Sequence, residues 1–258
     1  MSERELWALL PSHWVKVDGC RMHYRAAGRG RQAVVMVHGL TVSGNYLLPT
    51  AAKLLDDFTI YIPDLPGFGA SEKPRRVLDI PDMADTLRTW MGRLGLEQAY
   101  LLGNSMGCHT ISALAARHPE RVAGTILISP VGDPGSHNTL RLGLRALNDF
   151  VREPKSMWSI MFRDFLKVGF RRTLLTLRNL QHSRLDAWLP QVDVPTLVVG
   201  GRHDRIVPSW WIDRVAELLP QGRSAVIEKA AHVPNFSHPA QLATLVRGFV
   251  QSGDGTRE

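Results

Sequence analysis

Five short apolar segments, separated by longer stretches with a helical pattern, constrain the fold of this 258-residue chain most. Each segment is almost continuously apolar, which is typical of strands that are buried on both faces of a sheet. The segments are AVVMVHG (33–39), TIYIPD (59–64), AYLLGN (99–104), GTILIS (124–129) and TLVVGG (196–201). Helical patterns lie between them, around 44–55, 80–94 and 106–118. The alternation predicts an α/β fold with a mostly parallel sheet and helices on both faces.

Two departures from the alternation define the rest of the organisation. HWVKVD (13–18) and MHYRAA (22–27) flank Gly19 and predict an antiparallel pair that opens the sheet. From about 133 to 190 no strand pattern occurs. Apolar residues recur there at helical spacing instead, namely Leu140, Leu144, Leu147, Phe150, Trp158, Met161, Phe162 and Phe165. We therefore expect a core in two parts, 1–132 and 191–258, with a helical insertion at 133–190.

The composition disfavours several classes of protein. The first ten residues, MSERELWALL, lack the basic start and apolar run of a secretory signal, and no apolar run reaches the ~18 residues of a membrane span. The two cysteines, Cys20 and Cys108, are far apart and have no metal-ligand spacing. We expect a cytoplasmic protein without a metal ion or cofactor.

Ser105 occupies the corner between a predicted strand and a predicted helix in YLLGNSMG, with Gly103 and Gly107 two residues away on either side. The spacing Gly-x-Ser-x-Gly alone is modest evidence, because it arises by chance in about one chain in ten of this length. At this corner, however, the serine stands at the carboxyl edge of the sheet, where the first N–H groups of the helix also point. Ser105 is therefore the predicted nucleophile.

A serine hydroxyl needs a histidine to take its proton and a carboxylate to orient that histidine. GGRHDRIVP (200–208) places Asp204 in the loop after a predicted strand, and SAVIEKAAHVPNF (224–236) places His232 in the loop after the next one. Both loops lie at the sheet edge of Ser105, so the three side chains can converge. Asp133, just past an earlier strand, is the alternative acid, while His203 and His238 are interpreted as surface residues.

Two backbone N–H groups are candidates for stabilising a tetrahedral oxyanion. VVMVHGL (34–40) ends a strand with His38 and Gly39, after which the chain turns and can present the N–H of Leu40. The N–H of Met106 is the second candidate donor. His38 is interpreted as a structural hydrogen-bonding residue behind this turn.

Together these motifs resemble the α/β-hydrolase family, in its branch of esterases, lipases and C–C hydrolases. The similarity covers nearly the whole chain, through VHGL (37–40), DLPGFGASEKP (64–74), GNSMG (103–107), GGRHDRIVP (200–208) and AHVPNFSHP (231–239). The resemblance implies an eight-stranded sheet, a Ser-Asp-His triad and a helical cap between strands six and seven.

Hydrolysis of a small or medium carboxylic ester is the reaction that these residues favour, with no nucleic acid or membrane span involved. The residues expected to contact the substrate are Gly39, Asn104, Val207 and Val233. One alternative is a C–C hydrolase of vinylogous diketones, suggested by Asn104 before the serine. Relatives of that type carry a tryptophan after the histidine, whereas this chain carries Val233. The other alternative is a small-molecule receptor of the same fold that retains the triad.

The positive charge of the chain is concentrated in one segment. Residues 134–190 hold ten Lys or Arg and four acids, so that they carry +6 of the formal +7. Two interpretations remain open: the basic residues form solvated outer faces of helices, or their field steers anionic substrates to the site.

Overall fold

A single eight-stranded sheet forms the centre of the molecule, as the computed structural model of residues 1, 3–137 and 139–254 shows. The strand order is β1-β2-β4-β3-β5-β6-β7-β8. Strand β2 pairs antiparallel with both neighbours, and all other pairs are parallel. This confirms the predicted fold class. The strands are β1 Ser12–Val17, β2 Cys20–Ala27, β3 Ala33–Val37, β4 Thr59–Pro63, β5 Ala99–Asn104, β6 Val122–Ile128, β7 Thr196–Gly201 and β8 Gly222–Ile227.

Helices cover both faces of this sheet, which is why its central strands are apolar at every position. In β3, Val34 and Met36 pack into the core on one face, while Val35 and Val37 pack into the core on the other. The helices are α1 Glu3–Leu9, α2 Leu48–Ala52, α3 Ile80–Arg93, α4 Met106–Arg117, α5 Thr139–Phe150, α6 Lys155–Val168, α7 Phe170–His182, α8 Leu185–Trp188, α9 Ser209–Leu218, α10 Pro234–Ser237 and α11 Pro239–Asp254.

The segment between β6 and β7 consists of helices and turns in its described residues, with α5, α6, α7 and α8 in succession. Not all of its periodic apolar residues point inward. Leu144, Leu147 and Phe162 are each at least 60% exposed. The side chains of Leu140 and Phe150 lie outside the described residues.

Two elements differ from the sequence-based expectation. Helix α1 is not predicted by the sequence, because its residues mix charged and apolar types without a clear period. The helix expected around 44–55 is a 3₁₀ turn, Gly44–Leu47, followed by the short α2. Proline in the first turn of α2 suits a helix start, and the two pieces are therefore separated there. Within the described residues, no helix combines the length and apolar character needed to cross a bilayer.

Candidate active site

Ser105 sits in the strained corner that the sequence predicted between β5 and α4. Its φ of 56° and ψ of −116° lie where non-glycine residues are uncommon. Glycines make the corner possible: a Cβ on Gly103 would lie 2.6 Å from the carbonyl carbon of Gly107, and one on Gly107 would lie 2.4 Å from the Val37 oxygen. The strain therefore holds the Ser105 side chain at the carboxyl edge of the sheet.

His232 and Asp204 form a buried pair at the same edge. The His232 Nδ1 lies 3.0 Å from the Asp204 Oδ2, and because an ionised carboxylate only accepts, Nδ1 is the donor. The other Asp204 oxygen accepts the N–H groups of Ile206 and Val207, both at 2.8 Å. These bonds fix the carboxylate, and the imidazole leaves its Nε2 available on the opposite side of the ring.

The alternative acid and the other histidines have different surroundings. Asp133 is buried against Arg145, with its Oδ1 2.9 Å from the guanidinium Nη1. His203 is exposed, and His238 contacts the hydroxyl of Ser237. His38 is fully buried, accepts the Leu65 N–H at its Nε2 and donates from Nδ1 to the Gly39 oxygen, while burial lowers its pKa.

The two candidate oxyanion donors come from different parts of the chain: Leu40 lies in the turn after β3, and Met106 directly follows Ser105. Met106 is the first residue of α4, so its N–H has no acceptor within the helix. Thr41 has a φ of 62°, and the backbone therefore turns sharply directly after Leu40. In the part of the chain that the structure describes, neither N–H takes part in a loop or turn hydrogen bond. A Cβ on Gly39 would lie 3.4 Å from the Ser105 Cβ, which shows how closely this turn approaches the serine.

Asn104 holds the surrounding loops together from a fully buried position. Its Oδ1 accepts the Tyr46 hydroxyl at 2.8 Å, and its Nδ2 donates to the oxygens of Ile128 and His232 at 3.2 and 3.1 Å. Tyr46 in turn accepts the Gly39 N–H at 2.9 Å. This chain of contacts connects the oxyanion turn, the serine corner and the histidine loop.

Three buried carboxylates of the helical segment bind backbone N–H groups of the site loops. The Asp149 Oδ1 accepts the N–H of Arg205 at 2.9 Å, directly after Asp204. The Glu153 Oε1 accepts the N–H of Val233 at 2.9 Å, directly after His232.

The third carboxylate, on α6, binds the loop that follows Leu40. The Asp164 Oδ2 accepts both the N–H and the hydroxyl of Ser43, at 2.8 and 2.6 Å. Sequence reasoning did not find these acids, although three acids among the nine basic residues of 139–182 are a signal that could have been used.

These carboxylates also set the electrostatics of the histidine. Burial opposes the protonation of His232, but Asp204, Asp149 and Glu153 together raise its pKa to about 9. Burial and the nearby charges of Asp149 and Asp204 raise the pKa of Glu153 to about 7. Burial likewise raises the pKa of Asp149. A proton is therefore held more tightly at this edge of the sheet than on free side chains.

A cavity of about 340 Å³ opens beside Ser105 and His232. The core contributes Gly39, Leu40, Asn104 and Val233 to its wall, and the helical segment contributes mainly apolar residues, namely Leu142, Ala146, Met157, Met161, Leu177 and Leu180. Among its described lining residues, none is Lys, Arg, Asp or Glu. Its wall is therefore apolar apart from the groups around the serine.

One residue predicted to contact substrate is placed elsewhere. Val207 is buried, with its N–H bound to Asp204, and it is not among the residues that line the cavity, whereas its neighbour Ile206 is. Among the described residues, no group of three or more His, Cys, Asp or Glu is arranged to hold a metal ion.

Comparison with known proteins assigns the chain to a family. The family model described as the alpha/beta hydrolase family matches residues 34–245. This range includes strands β4, β5, β6, β7 and β8 in full, and it contains Ser105, Asp204 and His232. The chain belongs to the alpha/beta hydrolase family. This hydrolase has an eight-stranded sheet of that family's type, and the chain between strands β6 and β7 contains the helical segment.

Individual relatives of the hydrolase differ in their named reactions. It is 28% identical to 2-hydroxy-6-oxononadienedioate/2-hydroxy-6-oxononatrienedioate hydrolase 2 of Pseudomonas putida, over 90% of this chain and 92% of the relative. It is also 28% identical to the pimeloyl-[acyl-carrier protein] methyl ester esterase of Aeromonas hydrophila subsp. hydrophila, over 84% of this chain and 94% of the relative. The structure of a thermophilic esterase from Thermogutta terrifontis superposes on this hydrolase with a TM-score of 0.79 at 25% identity, over 93% of this chain and 99% of the esterase.

Proposed function

We propose that this hydrolase cleaves neutral carboxylic esters with small to medium apolar acyl groups through an acyl-enzyme. The observation that carries the proposal is the apolar cavity that opens at Ser105, beside the hydrogen-bonded pair of His232 and Asp204. Such a wall accommodates hydrocarbon, and its described residues offer no Lys or Arg to pair with an ionised substrate group.

The proposed mechanism follows from the positions of these groups. Ser105 attacks the ester carbonyl while the Nε2 of His232 takes the hydroxyl proton, and Asp204 stabilises the imidazolium that forms. The N–H groups of Leu40 and Met106 bind the developing oxyanion. His232 then protonates the leaving alcohol, and a water molecule activated by the same imidazole releases the acid.

Cleavage of a C–C bond is the second candidate reaction. It is considered because the Pseudomonas relative is named as a hydrolase of 2-hydroxy-6-oxononadienedioate and 2-hydroxy-6-oxononatrienedioate. The substrate in that name is a dioate, which carries two carboxylates. A buried carboxylate is stable only with a cation or several hydrogen-bond donors beside it, and no Lys or Arg is among the described lining residues. The amide of Asn104 is also occupied by Tyr46, Ile128 and His232, so it gives no separate support for this reaction.

Turnover of p-nitrophenyl butyrate tests the proposal. We expect Ser105→Ala to lower kcat by at least about 10³-fold and Asp204→Asn by about 10⁴-fold. Asp133→Asn is the matched control, because Asp133 contacts Arg145 and not the histidine, and it should leave kcat unchanged.

Three results would contradict the assignment. Equal rates for the Ser105→Ala variant and the parent enzyme would remove the nucleophile. Faster turnover of a dicarboxylate vinylogous diketone than of the ester would favour C–C cleavage. The absence of turnover for both compounds, together with tight binding of one, would favour a receptor.

A further inference from the structure

The helical segment carries most of the large apolar side chains that are exposed in the described residues. Seven of them, with exposed fractions between 51% and 73%, are Leu144, Leu147, Val151, Phe162, Leu166, Phe170 and Leu174. Six of them form one pair on each of three helices, namely Leu144 and Leu147 on α5, Phe162 and Leu166 on α6, and Phe170 and Leu174 on α7, while Val151 directly follows α5. The two members of a pair are three or four residues apart, so each pair forms a short apolar stripe on its own helix.

None of these seven residues lines the cavity. The same helices line it through other residues, namely Leu142 on α5, Met157 and Met161 on α6, and Leu177 and Leu180 on α7. Burial of the cavity wall therefore does not explain the exposed stripes. Contiguous exposed apolar residues on a folded protein mark a surface that binds something.

The charged residues of the segment are divided between its interior and its surface, with the acids buried and basic residues exposed. Residues 139–182 contain nine Lys or Arg and three acids. All three acids, Asp149, Glu153 and Asp164, are buried, at 2%, 6% and 0% exposure. Exposed basic residues stand beside the apolar stripes, namely Arg152, Lys155, Lys167, Arg171 and Arg178. No ion pair of the described residues includes any of these five.

We infer that this apolar and basic face, formed by the seven apolar and five basic residues above, docks onto the surface of an anionic lipid bilayer. A bilayer offers both kinds of contact at once, since its anionic headgroups attract Lys and Arg and its hydrocarbon boundary takes up Phe and Leu. The segment lies on the membrane and does not cross it.

Two other occupants fit the face less well. A symmetric dimer through this face would place the same basic surface against itself, so like charges would oppose the contact. Nucleic acid would use the basic residues through its phosphates but would leave the phenylalanine and leucine side chains without an apolar partner. Of these three occupants, the bilayer is the one that matches both the sign of the charge and the hydrocarbon.

Co-sedimentation of the full chain with vesicles tests the inference. We expect vesicles of phosphatidylcholine with about one-third phosphatidylglycerol to bind at least about tenfold more protein than vesicles of phosphatidylcholine alone. Added NaCl should reduce the difference, because it screens charges over about 8–10 Å. The Ser105→Ala variant should bind like the parent chain, which separates this inference from the proposed reaction.

Two sets of variants locate the surface. Phe162→Ser/Leu166→Ser/Phe170→Ser should lose most vesicle binding, and Arg152→Gln/Lys167→Gln/Arg171→Gln should lose the part that depends on phosphatidylglycerol. The matched charge control is Arg93→Gln/Arg223→Gln/Lys229→Gln, which removes three exposed basic residues outside the segment. The matched apolar control is Trp210→Ser on α9, where the indole is 56% exposed. Both controls should bind like the parent chain.

Turnover of p-nitrophenyl butyrate by each variant, which should stay within about twofold of the parent, shows that the fold is intact, since none of these residues lines the cavity. If a triple variant does not fold, the single change Phe170→Ser at the most exposed position replaces it. The inference is overturned if neutral and anionic vesicles bind equally, if neither binds, or if the segment variants bind like the controls. It is also overturned if the apolar variant only abolishes a dimer seen by analytical ultracentrifugation.

Discussion

At the scale of single residues, Asp149 and Glu153 add to the effect of Asp204 on the pKa of His232. Glu153 binds the Val233 N–H through one oxygen, while its other oxygen is buried without a hydrogen-bond partner. An ionised Glu153 therefore has few groups to satisfy it other than the charge of His232. Glu153 and His232 each shift the pKa of the other. The pH dependence of the proposed reaction, in which His232 is the base, should therefore depend on Glu153.

We expect Glu153→Gln to move the acid limb of the kcat/KM profile to lower pH, by on the order of half a pH unit or more. The neutral form of His232 is the base, and its pKa of about 9 means that activity rises as pH increases towards that value. Above the Glu153 pKa of about 7 the carboxylate is ionised and favours the imidazolium, so removing it lowers the His232 pKa. The variant should gain relative activity between pH 7 and 9 and match the parent below pH 7.

The amide that replaces the carboxylate in the Glu153→Gln variant can still accept the Val233 N–H through its oxygen, so a purely structural role of Glu153 would leave the profile in place. The matched control is Glu217→Gln, an exposed carboxylate on α9 that pairs with Arg214. An unchanged acid limb in the Glu153 variant, or a move to higher pH, would contradict the prediction.

At the scale of elements, α5, α6 and the turn between them each anchor the helical segment to a loop of the core. Its three buried carboxylates reach three separate loops, those after β3, β7 and β8. Each of these loops carries one part of the proposed catalytic machinery. The segment therefore both covers the cavity and fixes the loops below it.

Asp164→Ala should lower the free energy of unfolding by roughly 2–4 kcal/mol, because the N–H and hydroxyl of Ser43 then lose a buried charged acceptor. Urea unfolding followed by circular dichroism measures this. Asp186→Ala, which removes an acid of the same segment whose ion pair with Arg184 is largely exposed, should cost less than about 1 kcal/mol. Equal losses for the two variants would show that Asp164 is not an anchor.

The sequence was sufficient for elements and motifs whose signal is local. The central strands were predictable because a strand buried on both faces is apolar throughout, and Ser105, Asp204 and His232 because each follows a strand in a short recognisable motif. The contact between Asp164 and Ser43 was not predictable, since it joins residues 121 positions apart through tertiary packing alone. The short α2 shows the limit of periodicity, because a proline divides a pattern that looks continuous.

At the scale of the whole molecule, positive charge faces solvent while the cavity beneath it is apolar. The sequence left two roles open for the basic residues of 134–190, solvated outer faces or steering of anionic substrates. The described lining contains no Lys or Arg, and its histidine, His232, is already paired with Asp204, so an anion drawn to the outside meets no unpaired counter-charge inside. Attraction at long range and binding in the cavity are therefore opposed for such a substrate.

We expect kcat/KM for a neutral butyrate ester to exceed that of a matched ester with a terminal carboxylate by at least about tenfold, because an unpaired carboxylate in the cavity costs several kcal/mol. If the basic residues also steer the anion, added NaCl should lower kcat/KM more steeply for the charged ester than for the neutral one. Faster turnover of the charged ester at all salt concentrations would contradict an apolar binding site.

The way the helical segment is anchored has a consequence for engineering. At Arg205 and Val233 the core supplies only its backbone N–H to the anchoring carboxylate, a group that every amino acid except proline possesses. Position 233, whose side chain faces the cavity, can therefore be varied to reshape the acyl pocket without detaching the helices above it. A proline at either position would remove that one anchor while leaving every carboxylate unchanged.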